Sequence, residues 1–157
     1  MKYELKITKG LQDNPDAAEI RKKVFIEEQG FVNEFDEIDE KAYHLVIYVD
    51  KIPAATGRIY YKESPDVQII GRLAVIKELR GKALGKLLIN ELEKLAVKNN
   101  AEIVELSAQE RVKDFYLKSG YNQVSGVYFD ELCPHILMQK NLKQESAYEN
   151  KNIGNSK

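Results

Sequence analysis

Residues 80–86 read Arg-Gly-Lys-Ala-Leu-Gly-Lys, between an apolar run that ends near Ile76 and a stretch of helical periodicity. A strand that stops at a short basic loop and feeds a helix is suited to holding an anion. The first N–H groups of a helix have no intrahelical partner, and the helix dipole adds partial positive charge there. Gly81 and Gly85 let a ligand come close to the backbone, while Arg80, Lys82 and Lys86 add full charges. A diphosphate fits that chemistry. The spacing is not that of a Walker loop, G-x-x-x-x-G-K-[ST], because Leu87 follows Lys86, and it does not supply G-x-G-x-x-G. From the loop alone, a plain strand–helix turn with solvated basic residues stays open.

Other residues could take part in chemistry. The chain has two histidines, His44 and His135, each at the start of a strand-like run, where either a structural or a proton-transfer role is open. Glu28 lies in "FIEEQGF" and Glu131 in "FDELCPH"; each could serve a site or simply be solvated. The segment 34–40 holds Glu34, Asp36, Glu37, Asp39 and Glu40, either a solvated loop or a field that attracts a cationic amine. Arg21 and Arg58 are pocket cations or ordinary surface charges. Cys133 is the single cysteine, which excludes an internal disulfide and a cysteine-based zinc site. It reads as a small thiol rather than an acyl carrier, because no neighbouring base is placed to activate it. No His/Glu spacing supports a metal, and none is expected.

These residues must be positioned by a core. The chain has 157 residues, 43% of them hydrophobic, enough for one domain with a real interior. The formal net charge of −1 argues against nucleic acid held by counterion release. No apolar run approaches the roughly 18 residues that span a bilayer. The opening MKYELKITKG lacks an apolar signal region, so a soluble, cytoplasmic protein is expected. Alternation predicts strands at 3–8, 44–49, 52–62, 67–76, 103–108, 126–132 and 135–142. Helical spacing predicts helices from Asn14-Pro15-Asp16 to about Phe25, from Leu84 to about Asn99, and around Val112, Phe115 and Tyr116 up to Gly120. Asp50-Lys51 reads as a tight turn, Pro53 as an edge or bulge, and Gly71 as a bulge or splay point. The order is β-α-β-β-β-α-β-α-β-β. Hairpins give antiparallel pairs, and the crossover through 67–108 gives one parallel pair. The expected fold class is α/β (α+β), a mixed sheet with helices on both faces over residues 1–142. Residues 143–157 read as a polar, disordered tail.

The run "RGKALG" after "GRLAV" resembles the acetyl-CoA loop of the GCN5-related N-acetyltransferases (GNAT), whose pattern is [RQ]-x-x-G-x-[GA]. "RKKVFIEEQGF", "SAQERVKDFYLKSGY" and "YFDELCPHILMQK" resemble the ElaA-like branch, and the four stretches occur in the right order across residues 3–142. The resemblance implies a GNAT fold, mostly antiparallel, in which the strand before the loop and the strand after its helix splay apart. It implies acetyl-CoA as co-substrate and a small-molecule or peptide amine as acceptor, without nucleic acid, membrane or metal. Leu73, Ala74 and Val75 would pair with the pantetheine arm, residues Arg80, Gly81, Lys82, Ala83, Leu84, Gly85 and Lys86 would wrap the pyrophosphate, and Gln109 would meet the pantetheine amide. Tyr116, on its own pattern a core tyrosine, becomes the acid that protonates the leaving thiolate. Glu28, His135 and His44 become the candidates for the base, since ElaA-like proteins also carry histidine at both positions. Ala83 departs from the family, which usually has glycine there. Such domains often pair through an edge strand, which leaves a homodimer open. A coenzyme-sensing module without turnover is the alternative to an enzyme.

Overall fold

The computed structural model describes residues 1–142; the tail expected at 143–157 lies outside them. Eight strands form one sheet: β1 (Tyr3–Lys9), β2 (Tyr43–Val49), β3 (Ile52–Tyr60), β4 (Val67–Val75), β5 (Ile103–Gln109), β6 (Asn122–Gln123), β7 (Tyr128–Asp130) and β8 (Cys133–Asn141). The strand order is β1-β2-β3-β4-β5-β8-β6, with β7 also paired to β8. All pairs are antiparallel except β4–β5. The helices are α1 (Pro15–Arg21), α2 (Leu84–Lys98) and α3 (Lys113–Lys118). The fold class is therefore the expected one, with β6 as a short addition too brief to show alternation.

Alternation along β2 divides the core. Leu45 and Ile47 face the cluster built on α2, with Leu88, Ile89, Leu92 and Ala96. Val46 faces the opposite cluster, with Ala17, Ile20, Val24 and Phe25 of the first helix. That helix starts as its sequence suggests. Asn14 caps it by accepting from the Ala17 N–H at 3.4 Å, and Pro15 occupies the first turn. It does not stop at Phe25 but continues over Lys22–Glu28 as a wider π-helical turn, in which Gln29 N donates to Val24 O at 3.1 Å. Asp50 and Lys51, with φ of 49° and 70°, form the left-handed hairpin turn that joins β2 to β3. Pro53 lies beside a register shift, as a bulge would require, but β3 is an interior strand and not an edge.

Two features of β4 shape the site. Its ladder with β5 covers four pairs, Val67–Ile103 through Ile70–Leu106, and then stops, although β4 runs on to Val75 and β5 to Gln109. In the same place Arg72 and Leu73 oppose the single residue Gly57 of β3, a β-bulge. The left-handed residue there is Arg72, with φ 54°, rather than Gly71. Gly57 is needed opposite because an added Cβ would lie 2.6 Å from Leu92 Cδ1 and 2.7 Å from Leu73 Cδ2. The two leucine tips fill the space a side chain would take. Gly57→Ala is expected to lower stability by about 1–3 kcal/mol through overpacking, read as a lower urea midpoint with unchanged m value. An unchanged midpoint would show that the bulge has slack.

Candidate active site

Past Ile70 and Leu106 the facing edges of β4 and β5 no longer pair, and a cleft of about 730 Å³ opens between them. One wall is Gly71 to Val75, the other Ser107 and Gln109, and the floor is apolar, with Ile70, Leu88, Ile89 and Leu106. The loop Arg80 to Lys86 closes one end. Gly81 has φ 81° and Ala83 φ 61°, so the chain turns through two left-handed residues before α2 begins. For alanine that conformation costs about 1–2 kcal/mol. The first helical bond runs from Leu87 N to Ala83 O, at 3.2 Å. The N–H groups of residues 81–86 have no partner among the described residues. Gly81, Ala83, Leu84, Gly85 and Lys86 line the cleft, and Phe115 packs 3.4 Å from where a Gly85 side chain would begin. Lys82 is exposed and lies outside the lining.

Arg80 is engaged. Its Nε donates to Val75 O at 3.0 Å, and Nη1 and Nη2 donate to the Glu28 carboxylate at 2.5 and 2.7 Å. The hydrogen bonds from Arg80 hold the Glu28 carboxyl below its ordinary range. The next residue, Gln29, accepts from Gln109 Nε2 at 2.8 Å, and Arg111 Nε donates to Gln109 Oε1 at 2.9 Å. Consecutive residues at the end of the first helix thus clasp the two arms of the cleft, Glu28 the β4 side and Gln29 the β5 side.

Leu73, Ala74, Val75, Gln109, Tyr116 and His135 all line the cleft; His44 and Glu28 do not. Tyr116 is 8% exposed, packed edge-on against Phe115 and Tyr121, and burial pushes its phenol well above the usual value. Among the described residues its hydroxyl has no hydrogen-bond partner, yet it is not an orphaned buried atom, so it opens to the cleft. His135 donates from Nδ1 to Cys133 O at 2.9 Å, which leaves Nε2 as the acceptor nitrogen, likewise open to the cleft. Its ring stacks on Tyr128, whose hydroxyl hydrogen-bonds Ser107 Oγ. His44 is instead fully buried, with Nε2 donating to Asp39 O at 2.9 Å, and burial lowers its pKa. Glu131 accepts from the N–H groups of Val32 and Asn33, both at 3.1 Å, so it fastens the 30–33 loop to the β7–β8 turn. Cys133 is half-buried beside it.

The acidic loop does not present five free carboxylates. Arg21, 1% exposed, donates to Glu34 at 2.8 Å and to both oxygens of Asp39 at 2.7 and 3.1 Å. Arg58 donates to Asp36 at 2.7 Å and Asp39 at 2.8 Å, and Arg72 reaches Glu34 at 3.0 Å. Three arginines cancel three carboxylates, leaving Glu37 and Glu40 exposed. This overturns both the picture of an amine-attracting loop and the open choice for Arg21 and Arg58, which are interior cations. The network holds strained Arg72 in place and so fixes the bulge. Sequence reading also passed over Gln29, Asn33, Arg72, Ser107, Arg111 and Asp130 of the lining. Gln29 and Arg111 stood inside stretches already singled out, but their meeting is tertiary.

Residues 12–142 match the acetyltransferase (GNAT) domain family. The chain belongs to the GNAT acetyltransferase family. A Bacillus subtilis protein that bears an acetyltransferase name is 34% identical over 140 residues, 82% of this chain and 90% of that one. Escherichia coli ElaA has a similar structure, with TM-score 0.80 and 23% identity over 89% of this chain and 100% of that one. An aminoglycoside 6'-N-acetyltransferase complexed with coenzyme A aligns with TM-score 0.68 and 16% identity, over 87% of this chain and 96% of that one. Among the described residues, no helix is long and apolar enough to cross a membrane, and no three His, Cys, Asp or Glu side chains cluster as a metal site.

The buried network has a testable pH signature. Asp39 is held at about 2, against burial, by hydrogen bonds and charge from Arg21 and by Arg58. A carboxyl depressed in the folded state adds stability above its unfolded value of 3.8, lost as pH falls through about 2. The gap corresponds to about 2 kcal/mol. Glu34 is shifted the other way by burial and gives the opposite slope at higher pH, so comparison with a variant isolates Asp39. Asp39→Asn is expected to cost about 3–5 kcal/mol at neutral pH, since it leaves two buried arginines short of charge. The difference from wild type should narrow between pH 4 and 2 in denaturant melts; a constant difference would refute the depressed carboxyl.

Proposed function

We propose that residues 1–142 act as one domain that transfers an acetyl group from acetyl-CoA to a primary amine by direct attack in a ternary complex. The observation that carries this is the run of unpartnered N–H groups at residues 81–86, at the end of a cleft whose two strand edges are also unpaired. The amides and Lys86 would receive the pyrophosphate, and the β4 edge at Leu73, Ala74 and Val75 would pair with the pantetheine arm, at Val75 through its N–H because its carbonyl already accepts from Arg80. The coenzyme A bound by the aminoglycoside acetyltransferase of like fold supports that reading. Ala83 already sits in the left-handed region that a family glycine would take, so its methyl group does not abolish the turn.

The chemistry needs a neutral amine, a polarised carbonyl and a protonated thiolate. An alkylamine with pKa near 10.4 lies about 3.4 units above pH 7, worth roughly 4.6 kcal/mol. His135 Nε2 is the open acceptor for that proton. Glu28 is a poorer base, because its carboxylate already accepts two hydrogen bonds from Arg80, and His44 does not reach the cleft. The amine nitrogen bonds to the thioester carbon, the C–S bond breaks, Tyr116 gives its proton to the sulfur, and the proton the nitrogen sheds on becoming an amide restores the phenol. Burial raises that phenol's pKa, so it carries its proton at rest. A backbone N–H of the β4 edge near Val75 serves as the oxyanion donor. A coenzyme-sensing module would have no use for an open phenol and an open imidazole nitrogen facing one cleft, which favours the enzyme.

Calorimetric titration with acetyl-CoA is expected to show micromolar binding. Gly81→Val should weaken it at least tenfold, since a β-branched residue resists the left-handed turn. No binding by the wild type would overturn the reading. Tyr116→Phe and His135→Gln should each lower kcat by about 10²–10⁴ while the coenzyme still binds. Full activity in either variant would remove that residue from the mechanism.

A further inference from the structure

Resting on acyl transfer at this cleft, the charges that line it point to a class of acceptor. Six charged residues line the cleft: Glu34, Arg72, Arg80, Lys86, Arg111 and Asp130. Glu34 and Arg72 neutralise each other, Arg80 is taken by Glu28, and Lys86 belongs to the pyrophosphate loop. Arg111 and Asp130 remain. The Arg111 guanidinium is oriented through Nε by Gln109, itself fixed by Gln29, and its two Nη groups make no hydrogen bond or ion pair among the described residues. The Asp130 carboxylate makes no hydrogen bond or ion pair among the described residues. The two lie on either side of His135. Gln109 is the register partner of His135 across β5 and β8, and Arg111 follows two residues on. Asp130 closes the β7–β8 turn opposite Cys133, two residues before His135. Arg111 also lines a second pocket, of about 440 Å³, that shares the walls Gln29, Phe31 and Gln109 with the cleft and would lie beside the rest of the molecule.

We propose that the acceptor is a zwitterionic amino carboxylate, its ammonium end drawn by Asp130 toward His135 and its carboxylate held by the free fork of Arg111. A guanidinium and a carboxylate meet in two parallel hydrogen bonds, the strongest polar contact available to such a ligand. Asp130 favours the charged amine on arrival, and His135 takes its proton in the step already described. The fork pre-oriented by Gln109 loses little freedom on binding, so the selectivity falls on the carboxylate rather than on the chain attached to it.

The test compares amino acids with the same amines lacking the carboxylate: alanine with ethylamine, leucine with isoamylamine, phenylalanine with phenethylamine. Thiol release is followed with acetyl-CoA saturating. For at least one pair kcat/KM should favour the amino acid by about tenfold to a hundredfold, the effect of one charge-assisted pair. Arg111→Gln should bring that ratio to near unity, Arg111→Lys should leave it intermediate, and Asp130→Asn should raise KM for the amino acid. Coenzyme affinity, titrated for each variant, reports folding. Coenzyme binding with equal turnover of both members, or with turnover of no amino acid, overturns the zwitterion alone. Absence of coenzyme binding in the wild type overturns the acyl-transfer reading beneath it.

Discussion

Strands β4 and β5 are parallel neighbours that hold together for four residues and then part. Almost everything else in the chain is arranged around the cost of that parting. Strand edges left without partners lose backbone hydrogen bonds, and a parallel pair is the less stable kind to begin with. The separation is imposed from outside the pair. On the β3 side the bulge at Arg72 and Leu73 bends β4 away, and it fits because Gly57 leaves room for Leu73 and Leu92. On the other side β8 keeps β5 straight through seven register partners, down to Gln109 and His135.

The buried ion network is the second half of the same device. A left-handed arginine in mid-strand would relax if its side chain were free. Glu34 and Asp36 hold its guanidinium, and these carboxylates are held in turn by Arg21 and Arg58. A buried network of this kind is weak evidence of net stability, because desolvation opposes each pairing. Its geometric value is plainer: it ties the first helix, the loop at 34–40 and β4 into one frame. Among the described residues, one buried side-chain nitrogen, Arg58 Nε, is left without a partner, a cost the frame carries.

Much of this was legible in the residues. Alternation and helical spacing reproduce the element order, Asp50-Lys51 its hairpin, and the Arg80–Lys86 loop its place ahead of α2. Leu73, Ala74, Val75, Gln109, Tyr116 and His135, each singled out in the sequence, line one cleft. What escaped was pairing. A run such as Glu34 to Glu40 looks identical whether it faces water or three arginines drawn from positions 21, 58 and 72. Glu28 looks like a base until Arg80, fifty-two residues away, is found on it. Gly71 drew the eye as the bulge, yet the neighbouring arginine adopts the left-handed backbone, because tertiary contacts outweigh the conformational preference of a single residue.

The clasp at Glu28 and Gln29 has a consequence for how such a scaffold changes over time. Glu28 ends a π-helical turn and Gln29 caps it, a register that differs from an ordinary helix by a single extra residue. Removing or adding one residue there would rotate the clasp off both arms at once. On the function proposed above, coenzyme grip and acceptor choice would be inherited together, and a lineage that shortened this turn would have to rebuild both.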